Sequence, residues 1–177
     1  MKVIIDDKDI VQAMIRDMQE GFRMLMGHYK EPLYWHIRRL VVSHSDAEDA
    51  LQETFIRIFR AFGKNGEVNS LRAWIFRIAT NEALRIIERR REDSVPIEKV
   101  FDTKADSYID YSDLEAIRLQ KAIHSLPPKQ QLVFNLRYYD EMDYDEIAQV
   151  ADTTPTSAKA SYYVAKEKIV NRLKIEN

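Results

Sequence analysis

Asp143-Tyr-Asp-Glu-Ile-Ala-Gln-Val-Ala-Asp-Thr-Thr-Pro-Thr-Ser-Ala-Lys-Ala-Ser-Tyr-Tyr-Val-Ala-Lys166 reads as two helices that meet at a tight polar corner. Asp143 followed by Glu146 is a capping-box signal, and Ile147, Ala148 and Val150 supply the buried face of a short helix. The turn falls on Ala151-Asp152-Thr153; Asp152 takes the place of the usual Gly and tolerates a left-handed backbone. Thr154 is a good N-cap, and Pro155 sits at the first helical position, where its missing N–H costs nothing. From Thr156 to about Leu173, Ala158, Tyr162, Ala165, Ile169 and Leu173 recur at steps of 4, 3, 4 and 4 and form the inward stripe. The opposite face shows Thr156, Lys159, Ala160, Tyr163 and Lys166, with Ser157 beside them in the first turn. Small, hydroxyl and cationic residues on the second helix of such a pair suit a helix-turn-helix that enters the major groove of duplex DNA. The same spacing also fits a plain helical hairpin, so the rest of the chain has to decide.

Composition narrows the class. Of 177 residues, 32% are charged, while Gly (4) and Pro (5) are scarce, which suits an all-α chain and argues against sandwiches and barrels. The glycines (Gly21, Gly27, Gly63, Gly66) all lie in the first half, so no later Gly-rich loop could cradle a phosphate. With no Cys there is no disulfide, thiol nucleophile or thiolate metal site, in keeping with a reducing cytosol. His28, His36, His44 and His124 are scattered without metal-binding spacing, so no metal and no cofactor is expected. No apolar run approaches membrane-spanning length, and Met1 to Glu20 carries acids where a signal peptide needs cations. The expectation is a soluble, cytoplasmic protein without direct membrane insertion.

The formal net charge of −2 conceals a segregation. Arg57 to Arg91 holds nine Lys/Arg against three acids, Glu92 to Arg118 eight acids against three bases, and Thr156 to Asn177 five bases against two acids. Two basic segments flanking an acidic one could meet a polyanion, although charge runs are often only solvated faces. Helical periodicity runs from about Asp9 to Arg91 and lapses through 92–111, a charged stretch that reads as a flexible acidic linker. It resumes at Ser112-Asp-Leu-Glu115, another capping-box signal, and Pro127-Pro128 parts the next two helices. Two small helical domains, 8–91 and 112–177, on a tether follow from this.

In the first domain, Ser45 with Glu48 is expected to open a helix that runs to Phe62. Ala47, Leu51, Phe55, Ile58 and Phe62 face inward; Asp46, Asp49, Gln52, Glu53 and Arg57 share the outward face. After the loop Gly63 to Ser70, which carries Lys64, Asn65 and Asn69, a second helix starts at Leu71 and ends in Arg89-Arg90-Arg91. Arg77, Asn81 and Arg85 lie on one face at i, i+4 and i+8, with Trp74 and Phe76 near its start. Cations, an amide and aromatics together can hold unpaired bases through phosphate contacts, edge hydrogen bonds and stacking. Trp74 beside Ile75 and Ile78 fits a packed core residue equally well.

Asp46-Ala-Glu-Asp-Ala-Leu-Gln-Glu-Thr-Phe-Ile-Arg-Ile-Phe59, Leu71-Arg-Ala-Trp-Ile-Phe-Arg-Ile-Ala-Thr-Asn81, Leu126-Pro-Pro-Lys-Gln-Gln-Leu-Val-Phe134 and Tyr144-Asp-Glu-Ile-Ala-Gln-Val-Ala151 follow one another in an order and spacing that resembles the small two-domain sigma factors of the extracytoplasmic-function (ECF, sigma-70-like) family, with a Bacteroidetes-like overall pattern. The resemblance covers nearly the whole chain. It implies a transcription initiation factor, not an enzyme, that binds core RNA polymerase and promoter DNA and is held by an anti-sigma factor. On that likeness 8–91 is sigma region 2, and Asp46, Asp49, Gln52, Glu53 and Arg57 dock on the polymerase clamp. Lys64, Asn65, Asn69 and Ser70 on the loop, with Trp74, Arg77, Asn81 and Arg85, capture and read the melted −10 element. The second domain, 112–177, is then the region 4 helix-turn-helix, with Thr154, Thr156, Ser157, Lys159, Ala160, Tyr163 and Lys166 at the −35 element. Two positions where relatives often carry Arg are here Ser161 and Val164, which makes any borrowed −35 consensus unsafe. Read from the residues alone, a ligand-sensing helix-turn-helix regulator that binds an operator as a dimer, or a purely protein-binding helical adaptor, stays open. The outward acidic–amide face followed by a basic, aromatic helix favours the sigma factor, since a regulator needs neither.

Overall fold

The computed structural model describes residues 5–64, 68–94 and 113–175, and all the regular structure among them is helical. The chain separates into two compact units, Met1–Val95 and Pro96–Asn177. Unit 1 contains α1 (Asp7–Arg16), α2 (Met18–Val41), α3 (His44–Ala61) and α4 (Leu71–Glu92). Unit 2 contains α5 (Leu114–His124), α6 (Pro128–Tyr138), α7 (Tyr144–Ala151) and α8 (Pro155–Ile175). The acidic linker expected at 92–111 lies outside the described residues beyond 94.

In unit 1 the long α2 packs against α1, α3 and α4, and α3 packs on α4. Leu25, Leu33 and Ile37 from α2, Ile58 from α3 and Ile75 and Phe76 from α4 are excluded from solvent. Burying each is worth roughly 1.5–3 kcal/mol, the term that holds the four amphipathic helices together. The continuous period that starts near Asp9 hides a break: Asp17 ends α1, and its carboxylate accepts from the Gln19 and Glu20 N–H groups to cap α2.

The start of α3 corrects the capping box expected at Ser45 and Glu48. Val42 turns the chain with φ 68°, and the Ser43 N–H donates to the Val41 carbonyl at 2.8 Å, closing a three-residue γ-turn. A β-branched residue there is strained, and its burial helps hold it in place. The corner places Ser43 as N-cap, with its hydroxyl accepting from the Asp46 N–H, so α3 begins at His44, before Ser45. A similar shift marks α5, where Asp113 is the N-cap and accepts from Glu115 and Ala116 N–H; Ser112 lies outside the described residues.

In unit 2, α8 packs across α5, α6 and α7. Its core joins Ala122, Ile123, Leu126 and Phe134 to Ala165 and Ile169 of α8. His124, at the end of α5, has its Nδ1 3.2 Å from Gln131 Nε2. Burial pushes its imidazole down from 6.5 to about 4, so it stays neutral in the folded unit. The unfolded chain therefore binds the extra proton first. The stability tied to neutral His124 is fully present above pH 6.5 and drains away as pH falls toward 4, by about 3 kcal/mol in all. His124→Gln, an amide that still reaches Gln131, should flatten that part of the acid dependence of the melting temperature. Identical pH profiles for variant and parent would show that His124 contributes nothing to it.

Candidate nucleic-acid and protein interfaces

The corner between α7 and α8 forms as the sequence reading expects. The Asp143 carboxylate accepts from the Glu146 N–H at 2.8 Å, and Asp152 takes the left-handed conformation with φ 52°. Thr154 Oγ1 accepts from the Ser157 N–H at 3.1 Å, and Pro155 opens α8. From the α6 side, Arg137 donates to the Met142 carbonyl at 2.8 Å and lies over the Tyr144 ring at 4.8 Å, which ties the preceding turn to the start of α7. Burial pushes the Tyr144 phenol up, against the opposing effect of Arg137.

The register of α8 also holds. Ala158, Ala165 and Ile169 are buried, Tyr162 stacks on Phe134 with centroids 5.8 Å apart, and Leu173 packs on the same core. Thr154, Thr156, Ser157, Lys159, Ala160, Tyr163 and Lys166 are all exposed, Tyr163 to 56%. Thr154 spends its hydroxyl on the cap, so it shapes this surface from below. Ser161 is half-buried and Val164 exposed, so two positions on or beside the face lack a cation. A short rigid helix thus props up a longer one whose free side offers hydroxyls, two ammonium groups and a phenol. That set can contact base edges and phosphates.

In unit 1, Arg77, Asn81 and Arg85 form an exposed strip along α4. Phe76 does not belong to it: this ring is in the core, because a residue one position before Arg77 turns about 100° away on a helix. Trp74 is half-buried with its ring 6.5 Å from that of Phe62, between the two readings open for it. Ser70 Oγ accepts from the Ala73 N–H at 3.1 Å and caps α4. Lys64 and Asn69 are exposed on either side of the loop tip, and Asn65 lies outside the described residues.

On the outward face of α3, two of the five side chains are paired with α4. Asp49 and Gln52 are exposed and Glu53 half-exposed. Asp46 is instead ion-paired with Arg90 of α4. Arg57 lies between Glu53 Oε1, at 3.2 Å, and Glu82 Oε1 of α4, at 2.6 Å. Both residues therefore fasten α3 to α4. Sequence reasoning missed Ile56 and Phe59, which stand 37% and 46% exposed beside the acidic–amide strip, Phe59 edge-on to Phe22 of α2 at 5.2 Å. Their i, i+3 spacing was the available signal, and they make the face amphiphilic rather than purely polar.

Among the described residues, no three His, Asp or Glu side chains converge to hold a metal ion, and no helix is long and apolar enough to cross a membrane. The family models agree with the two-unit layout: Sigma-70 region 2 matches residues 25–93, and Sigma-70, region 4 matches residues 116–169. The chain belongs to the sigma-70 family. Sigma factors are in general transcription initiation factors without catalysis of their own. The ECF RNA polymerase sigma-E factor of Salmonella typhimurium (strain LT2) is 25% identical over 182 residues, 96% of this chain and 95% of that protein. The same-named factor of Haemophilus influenzae is 25% identical over 181 residues, 92% and 94% of the two chains. In fold, this sigma factor is similar to CnrH, solved in complex with the cytosolic domain of CnrY, at TM-score 0.75 and 20% identity over 97% of this chain and 99% of that one. It is also similar to RpoE of Bartonella quintana, solved with the anti-sigma factor NepR, at TM-score 0.66 and 21% identity over 88% and 98%. The α3 and α4 strips of the sigma factor fall within the region 2 match, and Thr154 to Lys166 within the region 4 match.

Proposed function

We propose that this sigma factor acts in the cytoplasm as a non-catalytic initiation factor of the extracytoplasmic-function type and divides its work among three surfaces. Asp49, Gln52 and Glu53, with Ile56 and Phe59, dock on core RNA polymerase. Arg77, Asn81 and Arg85, with Trp74 and the loop residues Lys64, Asn65 and Asn69, hold the melted −10 element. The free face of α8 reads the −35 element. The observation that carries the reading is the pairing, on adjacent helices of one unit, of an exposed acidic–amide strip on α3 with a cationic strip around Asn81 on α4. A protein surface and a single-strand surface side by side on one unit are what promoter opening by a larger enzyme requires. Because CnrH and the Bartonella RpoE were solved with CnrY and with NepR, we extend the proposal to an anti-sigma partner for this chain.

Electrophoretic shift of promoter duplex, with and without core polymerase, tests the reading. With an overall charge of −2 the free protein binds weakly, and binding becomes tight only in the presence of core enzyme. Tight stoichiometric binding of the isolated protein to a palindromic operator would replace the proposal with the dimeric regulator.

The α8 register makes a separate prediction. Lys159→Ala or Tyr163→Ala should change the preferred −35 sequence, at roughly 1–3 kcal/mol per lost base contact. Lys166 lies two turns beyond Lys159 and reaches phosphate, so Lys166→Ala should weaken all promoters about equally and lower the salt slope by about 1. Tyr162→Ala removes the ring stacked on Phe134 and should cost about 2 kcal/mol of stability with preference retained. A −35 library transcribed by each variant, alongside thermal melts, gives the readout. A shift of preference by Tyr162→Ala but not by Tyr163→Ala would move the reading face by one residue.

A further inference from the structure

Glu82 has no place in the surfaces described so far. It follows Asn81 directly, yet its side chain is only 8% exposed, in α4 under the DNA-facing strip. Two arginines from opposite sides share its Oε1. Arg57 of α3 brings its buried Nε to 2.6 Å, a contact of charge without the in-line geometry of a hydrogen bond. Arg85 brings Nη1 to 3.4 Å from one turn further along α4, with its side chain still 53% exposed. Arg57 has a second carboxylate, Glu53 at 3.2 Å. Arg85 has no second ion pair among those found for the described residues.

We propose that Glu82 is a positioning residue that withholds Arg85 from nucleic acid. Its carboxylate, held in place by Arg57, draws the Arg85 guanidinium back toward the helix. DNA must then compete with an internal partner for Arg85. The strip is in this way kept weak until polymerase and a melted strand supply the remaining contacts. This inference rests on the proposal that Arg77, Asn81 and Arg85 face DNA.

The full-length protein and a labelled oligo(dT) test it by fluorescence anisotropy over a chloride series. Glu82→Gln keeps the shape and removes the charge, and should tighten binding by about three- to tenfold at low salt, with the gain shrinking as salt screens it. Glu82→Asp retains the charge and should restore most of the parental affinity. In an Arg85→Ala background, Glu82→Gln should give no gain, because the residue through which it acts is absent. The thermal stability of Glu82→Gln should fall, since Arg57 loses its α4 anchor, so the expected signature is a less stable protein that binds DNA more tightly. Arg57→Gln combined with Glu82→Gln removes both ends of the pair, restores net charge and keeps the assay informative if the single variant unfolds; the gain should persist. A merely structural Glu82 would lower stability and affinity together, and that result overturns the proposal. So does a gain that survives in Arg85→Ala. If Arg77→Ala, Asn81→Ala and Arg85→Ala all leave oligo(dT) binding and promoter opening untouched, the assignment of the strip itself fails. If those variants impair both while Glu82→Gln brings no gain, only the role of Glu82 fails.

Discussion

Replacing Asp49, Gln52 and Glu53 together by alanine is expected to lower the affinity for core RNA polymerase by about a hundredfold, equivalent to nearly 3 kcal/mol, with the fold intact. The three side chains project from α3 and cap nothing, and exposed changes of this kind cost within about 0.5 kcal/mol each. Arg57 loses Glu53 but keeps Glu82, so the tie from α3 to α4 survives. The loss falls on the partner, whose complementary groups are left without mates at a buried interface. Asp46→Ala provides the contrast. It breaks the pair with Arg90 between α3 and α4 and should lower the melting temperature while polymerase affinity changes far less. Pull-down on core enzyme, read with circular dichroism melts, separates the two effects. Undiminished capture of the triple variant would mean that this face is solvated and nothing more.

The largest effect on stability is expected from one methyl group. At Gly21, where α2 crosses α1, an added Cβ would sit 2.2 Å from the Met14 nitrogen and 2.4 Å from its Cα. Those are backbone atoms, so no change of rotamer relieves the clash and α1 has to move away. Ile10, Ala13 and Met14, all buried beneath it, would lose packing. Overpacking against backbone costs at the upper end of the usual range, about 3 kcal/mol or more. For a unit of this size that is a fall in melting temperature of roughly 12–24 °C. Gly27 lies in the same helix with nothing within 4 Å of its would-be Cβ, and Gly27→Ala should stabilise by about 0.5–1 kcal/mol. Equal melts for Gly21→Ala and the parent would show that α1 does not dock as described.

The two glycines also show where reading a sequence stops. Nothing near Gly21 or Gly27 in the chain distinguishes them; only the arrival of α1 does. Local signals carried well. The spacing of Ala158, Tyr162, Ala165 and Ile169 set the register of α8, and Thr154 before Pro155 set its start, because cap and period are both properties of contiguous residues. Ser45 was read as the cap of α3, and the structure uses Ser43. A valine at positive φ decided between them, and no propensity anticipates that. The break at Asp17 was hidden because the apolar period of α1 passes smoothly into that of α2. Asp46 and Arg57 read as surface residues since their partners, Arg90 and Glu82, come from another helix far along the chain. Charges paired across helices cannot be told from charges facing solvent by periodicity alone. The same blindness left Glu82 unremarked between two residues of evident interest.

Transcription reconstituted from purified core RNA polymerase, fragments of the source genome and this protein tests the central claim most directly. The account predicts discrete run-off transcripts that depend on the protein. Permanganate-reactive thymines should appear just upstream of each start, and Asn81→Ala should reduce both signals while polymerase capture stays at the parental level. A protein that leaves the transcripts of core enzyme unchanged on every fragment, although it is folded and present in excess, would contradict the account.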